Sequence, residues 1–333
     1  MKGTSDTRPA YCARQAASTR TATRGFPRQL ETLAGLGLPL LRIEGEAELL
    51  ALILPLFERA SATTIGTHAL LHQRGGYAVP RLLGCRRDQP AGRVRLALAS
   101  GRDEQLVLSP SDRGRRLPAA LHLFDADGEV LHRAELSDPA DLLALDAIGA
   151  QMGLPFAPLP LRPAPPHREP VDRIGAILAA RRDWDRRTPD THLDELALDG
   201  GHSRAALLPH LGADRAQRLD PACLPGLLDL LAHLRLPFLR HVLRKGCVQA
   251  QGGAVTDLRV SGPMRLLHAR KGLMALDLAG VERCWRTHWT TAGLVLELYD
   301  ARNQSVAVVS ADPARPAARD DWNALLARIP PLP

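Results

Sequence analysis

Few side chains in this sequence combine the type and the spacing that chemistry requires. His192 is the first. It closes the segment Thr188–His192 (TPDTH), in the opening turn of a helix whose apolar side is marked by Leu193 and Leu196. An imidazole on that edge can project into a cleft while packing holds its helix, and neutral imidazole is the commonest protein metal ligand. The position equally suits a solvated histidine among Asp190, Asp194 and Glu195. The arginines come second. Arg93 and Arg95 alternate along an expected strand, and Arg204 opens the helix after His192. Singly each reads as a solvated charge; grouped around a cleft, their guanidinium forks match carboxylates. No GxSxG, HExxH, GxGxxG or GxxxxGK[ST] occurs, so neither the common hydrolase motifs nor the nucleotide-binding loops are present. Cys12, Cys85, Cys223, Cys247 and Cys284 are scattered without a CxxC, which favours a reducing compartment over a disulfide framework.

The elements that must position these residues fall into two halves. Seven prolines crowd the sixteen residues Pro155–Pro170, which excludes helix interior and central strand and predicts an extended linker. On either side lies the same order of signals. Leu121–Gly149 reads as an alternating strand, an Asp-led turn at Asp125–Gly128, a second strand, an Asp138-Pro139 loop and a helix; Leu294–Ile329 repeats this with Asp300–Gln304 and Asp312-Pro313. Upstream, Arg93–Gly101 is set against Gly262–Gly272, and Leu70–Leu82 against His241–Gly253. The expected fold is α+β: two homologous repeats, each a mainly antiparallel sheet with flanking helices. The expected divisions are a basic, disordered arm over 1–29, a first repeat over 30–154, the linker over 155–170 and a second repeat over 171–333. In the second repeat Thr188 should cap a helix with Pro189 at its first position. Asp199-Gly200-Gly201 should end that helix, and Ser203 should cap the next.

With 333 residues, 45% of them apolar, the chain has material for two ordinary domains and is not disordered throughout. The longest apolar run, around Leu49–Phe57, is about half of a bilayer crossing, and glutamates flank it. The net charge of +7 suggests an anionic partner, which nucleic acid, a membrane surface or a carboxylate ligand would all satisfy.

The stretch Arg244–Asp300 resembles the second half of the HemS/HmuS/ChuS family of bacterial cytoplasmic haem-utilisation proteins, also called hemin-degrading factors. The carrying residues are the strand RKGCVQ (Arg244–Gln249), Trp285 after a short acidic segment, LELYD (Leu296–Asp300) and a terminal helix with Trp322. In the first half the best match is LFDADGEVLH, from Leu123. The resemblance extends over about residues 40–333 and includes the two-half construction. It implies haem as the ligand, with His192 as the axial ligand of the iron and Arg204 as a nearby cation. It further implies that Arg95 approaches from the other side and that Trp285 lines the pocket. Two departures stand out. Ala97 replaces a common aromatic, and the family's W-x-x-R-K-P is here WRTHWT (Trp285–Thr290), so His288 stands for a distal arginine. The implied role is to take up imported haem in the cytoplasm and pass it on, in contact with a haem importer or a haem oxygenase. Oxygenase-type ring opening by the chain itself is the alternative, and a basic nucleic-acid-binding protein is the alternative of another class. A duplicate that keeps the fold without the ligand is the remaining reading.

Overall fold

The computed structural model describes residues 29–44, 47–85, 87, 89–99, 104–157 and 173–332. The N-terminal arm, to residue 28, and most of the proline-rich segment, from 158, lie outside the described residues. The first half runs α1 (Gln29–Gly35), β1 (Leu41–Ile43), α2 (Ala47–Ile53), β2 (Ser61–Ile65), β3 (Ala69–Arg74), β4 (Arg81–Leu82) and β5 (Arg95–Leu98). It continues through β6 (Gln105–Ser109), β7 (Ala119–Phe124), β8 (Val130–Leu136), α3 (Pro139–Met152) and β9 (Gly153–Pro155). The second half runs α4 (Arg173–Asp183), α5 (Pro189–Asp199), α6 (His202–Leu207), β10 (Ala216–Leu219), α7 (Leu224–Leu234), β11 (Phe238–Arg244) and β12 (Cys247–Gly253). Then follow β13 (Asp257–Ser261), β14 (Met264–Ala269), β15 (Gly272–Asp277), β16 (Arg283–Trp289), β17 (Gly293–Tyr299), β18 (Ser305–Ala311) and α8 (Arg319–Ala327).

The strands form two sheets, β13-β14-β15-β3-β2-β8-β7-β6-β1-β9 and β10-β16-β17-β18-β11-β12-β5-β4. Among the described residues all pairings between these strands are antiparallel except that of β4 with β5, which the parallel bridge of Tyr77 with Val94 precedes. The two orders are the same motif written twice: β15-β3-β2-β8-β7-β6-β1 matches β5-β12-β11-β18-β17-β16-β10. The expected α+β duplication is therefore present, down to its turns. Asp125 Oδ1 accepts from the N–H groups of Asp127 and Glu129, and Asp300 Oδ1 accepts from those of Arg302 and Gln304. Each half also lends a strand to the other: β5 completes the sheet of the second half, and β15 that of the first.

That exchange corrects the sequence alignment of the halves. The counterpart of β5 is β15, not the segment Gly262–Gly272, and the counterpart of β3 is β12 rather than β11. Both β3 and β5 are largely buried on both faces. They therefore lack the apolar–polar alternation that fixes a register.

Helices α4 to α6 cover one face of the eight-stranded sheet, where Ala180, Trp184, Leu196 and Leu208 pack on Val248, Val295 and Val308. The opposite face packs with α7, α8 and the exchanged strand, through Leu228, Trp322, Phe238, Val242, Leu71 and Met274. Helix α5 starts and stops as its sequence predicts. Thr188 accepts from the Thr191 N–H, Pro189 holds the first position, and Gly200 leaves in the left-handed region at φ 72°. Ser203 is not the cap of α6. The carboxylate of Asp199 reaches past Gly201, which is the capping residue, and accepts from the N–H groups of Gly201 and Ser203. Gly201 has φ 97°, and a Cβ there would lie 2.9 Å from that of Ser305 on β18. Gly201→Ala should therefore cost about 1–3 kcal/mol through strain and clash. A urea midpoint unchanged from that of the parent chain would refute this. Among the described residues no helix is long and apolar enough to cross a membrane.

Candidate functional site

A cavity of about 460 Å³ opens between the outer face of the eight-stranded sheet and the first turn of α5, within the range of small-molecule sites. Its sheet side is a grid fixed by register. Arg95 on β5 pairs with Ala250 on β12, Ala250 with His241 on β11, and His241 with Val308 on β18. Neighbouring rows bring Ala97 beside Val248, and Leu239 beside Ser310. Helix α5 contributes Pro189, Asp190 and Leu193, and Trp289 forms an apolar side wall. Arg87 and Arg319 also line the cavity, so its cations come from both halves. The exchanged strand is what carries Arg95 in. Burial lowers the pKa of Arg95 somewhat, and Asp312 partly offsets this.

Helix α5 is held over the sheet by a buried ion pair. Arg81 on β4 donates to both carboxylate oxygens of Asp194, at 2.6 and 2.9 Å, and the Gly84 N–H donates to the same group at 2.8 Å. A pair with two parallel N–H···O bonds fixes orientation as well as distance. The first half thus grips the helix of the second.

Behind Trp289 lies a closed polar cage. Glu297, fully buried, accepts from Arg204 Nη2 (2.7 Å), Arg204 Nε (3.3 Å), Thr287 Oγ1 (2.6 Å), Tyr299 Oη (2.6 Å) and Trp289 Nε1 (3.2 Å). Burial alone would raise the Glu297 pKa, but Arg204 and the hydroxyl donors outweigh it and hold the carboxyl below its ordinary value. The Arg204 guanidinium also lies 4.0 Å from the ring centre of Trp184. Its remaining nitrogen, Nη1, is 2.8 Å from Nδ1 of His192. His192 is fully buried, with its ring stacked on Trp289 at 4.5 Å and tilted against Trp184 at 4.7 Å. Burial and the adjacent Arg204 drive its pKa far down, so the ring is neutral.

The residues singled out from the sequence therefore separate. Arg95 lines the cavity. His192 and Arg204 meet in the cage, with Trp289 touching both the cage and the cavity. Trp285 packs in the core beside α4–α6, and its Nε1 has no partner. His288 is exposed; its carbonyl accepts from Trp184 Nε1, and strand alternation turns its ring away from Trp289. Sequence reasoning missed His241, Arg81 and Trp289. The only sequence signal for His241 is a histidine set in the apolar strand Phe238–Leu243, and its nearness to Arg95 is visible only once β5 is seen to pair with β12.

This two-unit architecture, with strands exchanged between halves, is the fold of the bacterial PhuS and ChuS proteins. The structure of holo-PhuS, a haem-binding protein from Pseudomonas aeruginosa, superposes with a TM-score of 0.73 and 21% identity, covering 97% of this chain and 99% of that one. ChuS, an E. coli haem oxygenase, gives 0.72 and 16%, covering 91% and 93%. In sequence the chain is similar to the hemin transport protein HemS of Yersinia enterocolitica, with 26% identity over 225 residues. That match takes in 64% of this chain and 62% of HemS, less than two thirds of the relative's length. No protein-family model matches the chain.

Proposed function

We propose that the chain is a cytoplasmic haem-binding protein that takes up imported haem and passes it on for iron acquisition, to a haem oxygenase or a store. The carrying observation is the cavity itself, an apolar slot over a sheet face with arginines from both halves around it. Haem is a flat apolar disc with two propionates and an iron that binds imidazole, so a site for it needs those walls, those cations and a neutral ring nitrogen. The lining residues fit. Leu193, Leu239, Val248 and Trp289 supply the walls, Arg87, Arg95 and Arg319 the cations, and His241 an imidazole. The likeness to HemS, PhuS and ChuS supports the same ligand. Bound haem would supply the iron and its redox chemistry, and the chain would orient the disc and exclude water from one face. His192, implied as iron ligand by the resemblance, would first have to release Arg204.

A hemin titration of the full chain, followed in the Soret region, tests this. A saturable one-to-one band is expected, and Arg95→Ala should weaken binding about tenfold or more through loss of a charge-assisted contact. Weak, non-saturating uptake would sink the reading. Adding a physiological reductant to the loaded protein in the presence of catalase then separates carrier from enzyme, because ring opening that persists once free hydrogen peroxide is removed is the chain's own, whereas ring opening that catalase abolishes is coupled oxidation of a carried haem.

A further inference from the structure

We propose that Cys223 and Cys284 form a reversible dithiol–disulfide couple that reacts with hydrogen peroxide, with Cys223 as the attacking thiol and Cys284 as the resolving one. The couple stands apart from the cavity and does not depend on the haem reading.

The two cysteines are 61 residues apart along the chain, and the fold closes that gap. Cys284 on β16 lies opposite Leu219 on β10 in the strand register. Just past β10, Asp220 turns the chain. Its carbonyl accepts from the Cys223 N–H at 3.0 Å, and its carboxylate accepts from the Ala222 N–H at 2.9 Å. Leu219 and Leu224, on either side of this turn, share one core cluster with Cys284. The turn is thereby folded under the face that Cys284 presents, and the two thiols are hydrogen-bonded to each other.

The pair is asymmetric in the way that a two-step oxidation needs. Cys223 is half-buried and stands at the N-terminal cap of α7, where the partial positive charge of the helix end favours a thiolate. The hydrogen bond between the thiols lowers the pKa of Cys223, against burial and Asp220, and raises that of Cys284. Cys284 is buried, so a reagent from solvent meets Cys223 first. The other described cysteines differ. Cys247 is buried, with its pKa pushed up to about 12 chiefly by burial, and Cys85 is exposed.

In the first step the Cys223 thiolate attacks one peroxide oxygen. An S–O bond forms, the O–O bond breaks, and the departing hydroxide takes the proton that Cys223 released. The Cys284 sulfur then attacks the Cys223 sulfur. The S–S bond forms, the S–O bond breaks, and hydroxide leaves as water with the Cys284 proton. Two thiols and one hydrogen peroxide thus give one disulfide and two waters. A disulfide that dithiols reopen is the kind that occurs in reducing compartments.

The test uses the full chain, free of hemin, reduced and then exposed to hydrogen peroxide. Remaining thiols are blocked with iodoacetamide in urea, and the tryptic peptides are analysed by mass spectrometry. Cleavage isolates Cys223 in 219–235 and Cys284 in 284–286. These peptides should appear joined, lighter by one pair of hydrogens than their sum, and dithiothreitol should separate them. In Cys284→Ser, dimedone should trap a sulfenic acid on Cys223 at about tenfold or more the level in the parent chain. Cys223→Ser should leave Cys284 unoxidised, which a merely structural pair of core cysteines would not require. Absence of the joined peptides at a peroxide dose that oxidises glutathione overturns the proposal, as does equal oxidation of Cys284 in the parent chain and in Cys223→Ser.

Discussion

Glu297→Gln is expected to destabilise the protein by about 3–5 kcal/mol, the usual cost of breaking a buried ion pair from one side. Glu297 and the side chain of Arg204 are almost completely removed from solvent. The carboxylate answers five donor atoms from four side chains. A glutamine keeps the shape but replaces one acceptor oxygen with a donor, among donors, and leaves the guanidinium without a buried counter-charge. Mutating both ends, as Arg204→Met with Glu297→Leu, should recover only part of the loss. The apolar pair removes the stranded charge, but Thr287, Tyr299 and Trp289 lose their acceptor and His192 loses its donor. Equilibrium unfolding in urea measures both. A cost below about 1 kcal/mol for Glu297→Gln would mean that water reaches the cage.

The cage links stability to the proposed site. Its members come from α5, α6, β16 and β17, and Trp289 is both a ligand of Glu297 and a wall of the cavity. Together with the Arg81–Asp194 pair, it fixes α5 over the sheet. A variant that loosens the cage should therefore also weaken hemin binding, without touching a cavity side chain.

Much of this was legible in the sequence where the signal is local. The cap at Thr188, the stop at Gly200 and the paired Asp-led turns are each written within about five residues, and the structure shows them. The duplication was legible because those local signals recur in order. The strand exchange was not, since an apolar strand such as Arg95–Leu98 carries nothing that names its partner. The site suffered from the same limit. Strand alternation places Arg240 and His241 on opposite faces, but only the register of β11 with β12, and of β12 with β5, sets His241 beside Arg95. His192 shows the converse difficulty. Its place at the start of α5 was correctly read, yet the direction of its ring depends on Arg204 and Trp289, 12 and 97 residues away along the chain.

The second large effect concerns acid. His122, His132, His192 and His241 are all buried, and burial is the first cause of the lowered pKa of each. For His122, His132 and His241 the value falls to about 3, and for His192 further still. A histidine whose folded pKa lies below its unfolded value of 6.5 contributes stability that is complete above pH 6.5. That stability is lost as the pH falls, because only the unfolded chain takes up the proton. Each should give up about 2 kcal/mol between pH 7 and pH 5, and the four together about 8, comparable with the whole stability of a domain. Asp125 and Glu195, whose carboxyls burial pushes up, act with the opposite sign and offset part of this. The urea midpoint should therefore drop steeply below pH 6.5, well before ordinary carboxylates titrate. Substituting one of the four should flatten the slope by about one proton. His122→Gln is the cleanest choice, because His122 lies in the first-half sheet, bonded through Nε2 to Ser109. A midpoint that is the same at pH 5 as at pH 7 would mean that these rings are hydrated or already charged in the native state.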